Sequence, residues 1–371
     1  MSKNSHSLLL NGRFTLRKSG GVDRVATELT RAILDILQRR EDFDFSLEMA
    51  LPSDGRSRAV APQLSQRMPT RRGRLGGHAW EQFELPMTAS NATLLSLCNT
   101  GPVIRRRQLA LIHDAQVFLN PETYSSPFRV WYKFMLPKLG HTAGTVATVS
   151  DFSRRQLERY RVVPEGKCEV IHNGCDHLDR ITADPAALGR FRLSRGKFIL
   201  AIGSLAPHKN LAMLMRAAAR RPAGAPELVI AGGGDEGVFA DAGLVPPKGV
   251  RFIGRISDEE LKALYENAIM LAFPSLTEGF GLPPLEAMRC GCPVLATTGG
   301  AVPEVCGDAA ILISSDDETE WTRAMSELAD NEIKLAEMKA AGLKRASSFI
   351  WLKSAEKILS LLKGSEREGP E

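Results

Sequence analysis

Short apolar runs alternate with longer helical patterns along this chain, and no other feature narrows the fold as much. That alternation is what a parallel sheet covered by helices requires. The first half offers SLLLNG, FSLEMAL, ATLLSL, QLALIH, GTVATVS and CEVIHNG as strands. The second half offers KFILAIG, PELVIAG, VRFIG, AIMLAFPS, CPVLAT and AAILIS. Many of them end at a Gly, Ser or His-Asp that opens a loop, where open α/β sheets place their ligands. Residues 179–196 between the two sets show no strand pattern and read as a linker. The expectation is an α/β chain of two similar-sized domains, 1–180 and 190–349, with a cleft between them. A length of 371 residues fits two domains of roughly 150 each. Near the end, SAEKILSLLK places Ala355, Ile358, Leu359 and Leu362 on one helical face. A helix at about 350–365 is expected to pack back on the first domain. Residues 63–78, rich in Arg and Gly, read as a long mobile loop.

Charge divides unevenly between the halves. Residues 1–180 carry 26 Lys/Arg against 18 Asp/Glu, and the remainder carries 22 against 25. The basic excess, with Arg105-Arg106-Arg107 at its centre, suits anionic headgroups, phosphorylated substrates or a solvated face. Aromatic residues make up only 6% and do not interleave with the basic runs, which argues against nucleic acid. The six cysteines contain no CxxC pair, and the lone Cys290-x-Cys292 has no second pair to complete a zinc site. Buried or half-buried thiols and no metal are expected. The opening MSKNSHSLLLNGRF lacks a signal-peptide apolar region, and no run of about 18 apolar residues is present. A cytoplasmic location is the expectation.

The stretch EGFGLPPLE, residues 278–286, places two glutamates around seven residues with no other charge. Proline is well placed in a first helical turn, so Pro283-Pro284 is read as opening a helix that stops at Gly291. Glu278 then lies on the loop, Glu286 in the first turn, and the amides of Phe280 to Leu282 at the helix N-terminus. Such an end seats a diphosphate, and Gly279 and Gly281 permit close backbone approach. The two carboxylates would repel phosphate and are better suited to accept sugar hydroxyls. Spacing alone leaves open that Glu286 only complements the helix dipole and that Glu278 is a solvated loop residue.

EGFGLPPLE resembles the Glu-x7-Glu signature of the retaining glycosyltransferases of family four. SGGVDRVATEL resembles that family's N-terminal glycine loop, LIHDAQVFLNPE its His-Asp segment, VSDFSRRQL its strand end and VIHNGCD its "NGxD" element. IGSLAPHKN resembles its phosphate-binding Lys loop, and GGAVPEVCGDAAIL the helix after the nucleotide site. The resemblance runs in order from about residue 9 to 356. It implies the GT-B architecture, two Rossmann-like domains facing a cleft. The sugar nucleotide would lie on the C-terminal domain and the acceptor on the N-terminal one. By resemblance, Glu286 holds the ribose hydroxyls and Glu278 meets the donor sugar. Gly279, Phe280, Gly281 and Leu282 offer amides, and Lys209 neutralises the diphosphate. His113 touches the sugar near the reacting centre, and Gly20-Gly21 lie between donor phosphate and acceptor. Arg255 sits where the backbone meets the base. Ser204 and His208 replace basic residues common in the family, so phosphate neutralisation is expected to rest mostly on Lys209 and backbone dipoles.

The implied activity is metal-independent hexosyl transfer with retention from a nucleotide-diphosphate sugar, without a cofactor. GDP-mannose is favoured over UDP-sugars from general similarity to bacterial polysaccharide mannosyltransferases. The expected acceptor is a saccharide or a polyprenyl-diphosphate-linked oligosaccharide, with peripheral contact at the inner membrane face. Five other readings stand beside this one. Asp42-Phe43-Asp44 has the form of a metal-binding Asp-x-Asp but lies outside any matching context. Gly232 to Gly237, GGGDEG, fits a dinucleotide fingerprint, yet no acidic residue ends a strand about 20 residues on. His113-Asp114 fits an acid/base pair of a hydrolase or a structural histidine. A non-hydrolysing epimerase and a non-catalytic glycan-binding relic complete the alternatives.

Overall fold

The computed structural model describes residues 6–16, 20–39, 42–53, 64, 66–204, 206–233 and 246–367, with side chains described through residue 364. The chain divides into two compact units, residues 1–174 with 350–371, and residues 175–349. Residues 175–196, expected as domain end and linker, are part of the second unit. Lys262 Nζ donates to the carbonyls of Leu178 and Ile181 at 2.9 and 2.8 Å, and Arg289 Nε donates to Asp179 at 2.9 Å. With no strand pattern, the segment spends its polar backbone on these side chains and on a 3-10 turn at Asp176–Arg180.

The first unit holds a seven-stranded, all-parallel sheet in the order β3-β2-β1-β4-β5-β6-β7. Its strands are β1 (His6–Asn11), β2 (Phe45–Leu51), β3 (Thr70–Arg72), β4 (Thr93–Ser96), β5 (Gln108–Leu111), β6 (Thr145–Thr148) and β7 (Cys168–Val170). Every residue of β4 and β5 is buried, as both faces of a parallel sheet must be. Helices of eight or more residues are numbered in chain order: α1 (Gly21–Arg39), α2 (Ser126–Thr142) and α3 (Asp151–Arg159) follow β1, β5 and β6.

The second unit holds six parallel strands in the order β10-β9-β8-β11-β12-β13. They are β8 (Phe198–Ile202), β9 (Glu227–Ala231), β10 (Val250–Gly254), β11 (Met270–Phe273), β12 (Val294–Thr297) and β13 (Ile311–Ile313). Around them lie α4 (Leu211–Ala219), α5 (Asp258–Asn267), α6 (Leu282–Arg289), α7 (Glu318–Ala329) and α8 (Glu332–Ala346). Ile199, Leu214, Ile230, Met270, Leu295 and Trp321 anchor the core between sheet and helices.

All twelve strands read from the sequence are present; β3 is a thirteenth that the sequence reading missed. It falls within 63–78, the stretch expected as a mobile loop, of which residues 63 and 65 lie outside the description. Its three side chains are exposed, and Arg71 pairs with Glu48 of β2 at 2.7 Å. A sheet edge tolerates such a charged, apolar-poor strand. Asp42 and Asp44 are exposed ahead of β2.

The last helix, α9 (Trp351–Arg367), lies in the first unit and packs against α1, with Ala355, Ile358, Leu359 and Leu362 buried on one face. Its start is fixed by close backbone contact. A Cβ on Gly174 would fall 2.4 Å from Trp351 N and 2.8 Å from Ile350 C. Gly174→Ala therefore forces the helix start away from β7, at a cost of about 1–3 kcal/mol. A lowered melting midpoint with unchanged far-UV circular dichroism is the expected outcome.

Candidate functional site

In the second unit the candidate groups gather at the C-terminal ends of β8 and β11. After β8 the chain makes a 3-10 turn at Pro207–Lys209 and enters α4 through Asn210, which has left-handed backbone at φ 55°. Asn210 Nδ2 donates to Ser315 O at 2.7 Å, and the carbonyl of His208 accepts from Leu276 N at 2.7 Å. The two loops are thereby tied together. Lys209 Nζ donates to Glu278 Oε1 at 2.7 Å and lies 5.8 Å from the centre of the Phe273 ring. Both side chains are mostly buried (22% and 15% exposed), so this cation and carboxylate hold each other.

Two glycines hold the loop that carries Glu278. A Cβ on Gly299 would lie 2.2 Å from Leu276 O, and one on Gly300 would lie 2.4 Å from Glu278 N. Ala301 N donates to Glu278 O at 2.9 Å. The loop then turns at Gly281, whose φ of +93° favours glycine, into α6. No side chain caps α6, and Pro283 and Pro284 bring no N–H, so Gly281 and Leu282 supply the amides at this end. Phe280 is buried and packs edge-on against Phe349 at 6.1 Å. Ser204 and Arg255 are exposed after β8 and β10, and His208 is half-buried.

Glu286 differs from the expectation in two respects. The helix begins at Leu282, which puts Glu286 in its second turn, and the residue is 4% exposed. Its Oε1 accepts from His177 Nε2 at 3.1 Å and its Oε2 from Tyr265 Oη at 3.3 Å. A carboxylate only accepts, so both neighbours act as donors here. Burial, followed by the charge of Glu286, pushes the Tyr265 hydroxyl well above its ordinary range, which keeps it protonated. His177 and Tyr265 escaped the sequence reading. His177 directly follows NGCD and was within reach as its neighbour, whereas Tyr265 is one aromatic on an amphipathic helix and carries no signal of its own.

In the first unit His113 follows β5 and is buried. Its Nε2 lies 2.8 Å from Leu97 O, so that nitrogen carries the proton, and its backbone N donates to Asn99 Oδ1 at 2.7 Å. Burial lowers its pKa to about 4, against the opposing pull of the Leu97 carbonyl and Asp23. The ring is neutral at pH 7 and offers Nδ1 as an acceptor. Beside it lies a cavity of about 240 Å³ lined by Asp23, Asn99, Asp114, Tyr124 and Phe128, none of which except Asp114 had been singled out. Gly20 and Gly21 are exposed at the start of α1, with Gly20 N donating to Asp23 Oδ2 at 3.2 Å. A Cβ on Gly21 would meet no described atom within 4 Å, so the protein's own packing does not demand glycine there. Of GGGDEG only Gly232 and Gly233 are described; the rest lies outside the described residues, and a Cβ on Gly232 would meet Gly203 O at 2.6 Å. Among the described residues no group of three or more His, Cys, Asp or Glu could hold a metal ion, and no helix is long and apolar enough to cross a membrane.

The lowered His113 pKa has a defined effect on stability. Below pH 6.5 the unfolded chain takes up a proton that the folded one refuses, so stability falls from there to about pH 4. The full span amounts to about 3 kcal/mol. In His113→Gln the drop in melting midpoint between pH 7 and pH 4.5 is expected to be smaller than in the parent.

Residues 190–345 match the family described as glycosyl transferases group 1. The O-antigen chain mannosyltransferase B of Escherichia coli is 30% identical over 259 residues, covering 66% of this chain and 67% of the relative. The O-antigen chain mannosyltransferase RfbU of Salmonella typhimurium is 25% identical over 252 residues, covering 67% and 68%. Among solved structures, the sucrose-phosphate synthase of Thermosynechococcus elongatus superposes with a TM-score of 0.74 over 98% of this chain and 100% of that one, at 18% identity. The two helix-flanked parallel sheets are thus the two Rossmann-like domains of a GT-B fold. The epimerase, dinucleotide and relic alternatives are not favoured by these likenesses. With one relative 30% identical across two thirds of its own length, and a family match that spans Lys209, Glu278 and Glu286, the chain belongs to the group 1 glycosyl transferases.

Proposed function

We propose that the protein transfers mannose from GDP-mannose to a saccharide acceptor carried on polyprenyl diphosphate, in O-antigen or related surface-polysaccharide synthesis. The transfer retains the anomeric configuration and uses no metal. The observation that carries this reading is the contact of Lys209 with Glu278, four residues ahead of the uncapped start of α6. A cation and the amides of a helix start on neighbouring loops suit a departing diphosphate, which gains charge as the glycosidic bond breaks. The choice of mannose rests on the two relatives named as O-antigen mannosyltransferases.

In the proposed mechanism the diphosphate draws Lys209 away from Glu278, and the freed carboxylate accepts hydroxyls of the donor sugar. The amides of Gly279, Phe280, Gly281 and Leu282 serve sugar and phosphate, and Ser204 and His208 flank the phosphate loop. Arg255 lies by the base. Glu286 holds the ribose through lone pairs that His177 and Tyr265 leave over, since a carboxylate offers about four acceptor sites. The acceptor oxygen attacks the anomeric carbon as its bond to the phosphate oxygen breaks, and the acceptor proton passes to the departing phosphate. Neutral His113 takes part as a hydrogen-bonding group to the sugar, and the open space over Gly21 is kept for ligand. On this reading residues 175–349 bind the donor and the first unit binds the acceptor.

Thermal melting against GDP-, UDP-, ADP- and dTDP-sugars, with NAD and NADP as controls, tests the donor. Saturation at 100 times the dissociation constant adds about 2.7 kcal/mol to the folded state. A shift with GDP-mannose that Glu286→Ala abolishes is expected; a shift with NAD or NADP alone sinks the proposal. Lys209→Met is expected to lower kcat by about 100-fold or more while the melting point stays near that of the parent. Activity should persist in EDTA, and NMR of the product should show the donor's own anomeric configuration. Inversion, or a glycosyl adduct on Glu278 in mass spectra, would overturn the mechanism.

A further inference from the structure

The first unit presents an apolar face that its own fold does not cover. Residues 77–88 form a continuous helical segment with a π-helical turn at Trp80–Glu84, and expose Phe83 and Met87, one helical turn apart, at 69% and 70%. On α2, Val130 and Phe134 are likewise one turn apart and exposed at 68% and 55%. Ile104, in the loop before β5, is exposed at 75%. These three segments are neighbours. Gln82 Nε2 donates to Gly101 O at 2.9 Å and Val103 N to Gln82 Oε1 at 3.0 Å. Arg105 Nη1 donates to Pro86 O at 3.1 Å, and the rings of His78 and Trp131 are 5.2 Å apart.

The face is rigidly held from behind. Buried Glu81, on the side of the segment opposite Phe83, accepts from Asn11 at 2.9 Å, Thr100 at 2.7 Å and Arg13 at 2.7 Å. Glu84 accepts from the backbone N–H of Arg74 and Leu75. Exposed apolar side chains gathered on neighbouring segments and rimmed by polar residues mark interaction sites.

Charge identifies the partner. Neither α2 nor residues 101–107 contain an acidic residue, while they carry Arg105, Arg106, Arg107, Arg129, Lys133 and Lys138. Arg106, Arg107, Lys133 and Lys138 are exposed. Lys138 Nζ stands 5.0 Å from the centre of the Phe134 ring, a cation held over an aromatic face. Apolar side chains flanked by such cations are the composition of a helix face lying in a lipid headgroup layer. A second copy docked on the same face would set this basic rim against itself.

We propose that this face docks on a bilayer surface that contains anionic lipid. The inference deepens the lipid-linked acceptor reading above and rests on it for its biological sense. It places the acceptor-side unit at the surface where a lipid-borne sugar is presented.

The experiment is sedimentation of the full chain with vesicles of phosphatidylcholine, with and without phosphatidylglycerol, at low and high salt. Binding is expected with phosphatidylglycerol at low salt, weakening as salt screens the cations. The pair Arg106→Gln and Lys133→Gln is expected to lower the partition by roughly 30-fold, at about 1 kcal/mol per basic residue near the surface. Phe83→Ser with Phe134→Ser should also lower it. Both double variants should keep the parent's melting point and its shift with GDP-mannose, since neither touches the donor-binding groups. No binding to anionic vesicles overturns the proposal, as does binding that both double variants leave unchanged. A concentration-dependent dimer that Phe83→Ser with Phe134→Ser dissolves, in place of vesicle binding, overturns it as well. A missing donor shift in every protein alike would count against the proposed function and leave the vesicle result to stand alone.

Discussion

A parallel strand buried on both faces can present polar chemistry only beyond its ends, and each unit is organised by that constraint. β4, β5, β11 and β12 are buried throughout. What they carry appears where they stop: His113 after β5, and the loop with Glu278 after β11. The interior is thereby left to packing, and the loops are free to hold glycines whose place is set by close approach of one backbone to another. Gly299 and Gly300 illustrate this, since either Cβ would collide with the backbone of residues 276–278. Glu278 is positioned by main chain on both sides, and only its carboxylate is left to exchange partners.

The two glutamates of EGFGLPPLE are treated differently by the fold. Glu278 is held by one cation, Lys209, at the end of a neighbouring strand. Glu286 is enclosed by the donors His177 and Tyr265, each almost fully buried. A half-buried ion pair still reaches water, so separating it costs less than separating a pair enclosed on all sides. A buried carboxylate with two donors keeps its orientation whether or not a ligand is present. The first behaves as an exchangeable contact and the second as a fixed acceptor.

Much of this was legible in the chain. Twelve strands could be read from apolar runs; where a strand is buried on both faces, as β4, β5, β11 and β12 are, it leaves an unbroken apolar word in the sequence. The exposed edge strand β3, TRR, leaves no such word, and its pairing depends on the backbone of β2. The buried face of α9 was legible from spacing alone, since Ala355, Ile358, Leu359 and Leu362 follow helical period. Lys209 and Glu278 could be named, but not their contact, because 69 residues separate them. His177 and Tyr265 converge on Glu286 from 109 and 21 residues away, a three-body arrangement that no local pattern encodes. The exposed face of residues 77–88 was hidden in turn, because Phe83 and Met87 look like core positions until the sheet turns them outward.

The second unit enters the chain between Gly174 and Ile350, and its two ends meet: Cys175 N donates to Phe349 O at 3.0 Å. The flanking ends of the first unit are also adjacent, with Gly174 packed on the Ile350–Trp351 backbone. In genetic terms the second unit is a cassette with paired termini, set into a host whose flanking ends already touch. A different cassette would join a host of this kind through two peptide junctions that lie side by side, and closing the host without one would take a single junction. Recombination between related chains could therefore exchange one unit while leaving the hydrophobic interior of the other uncut.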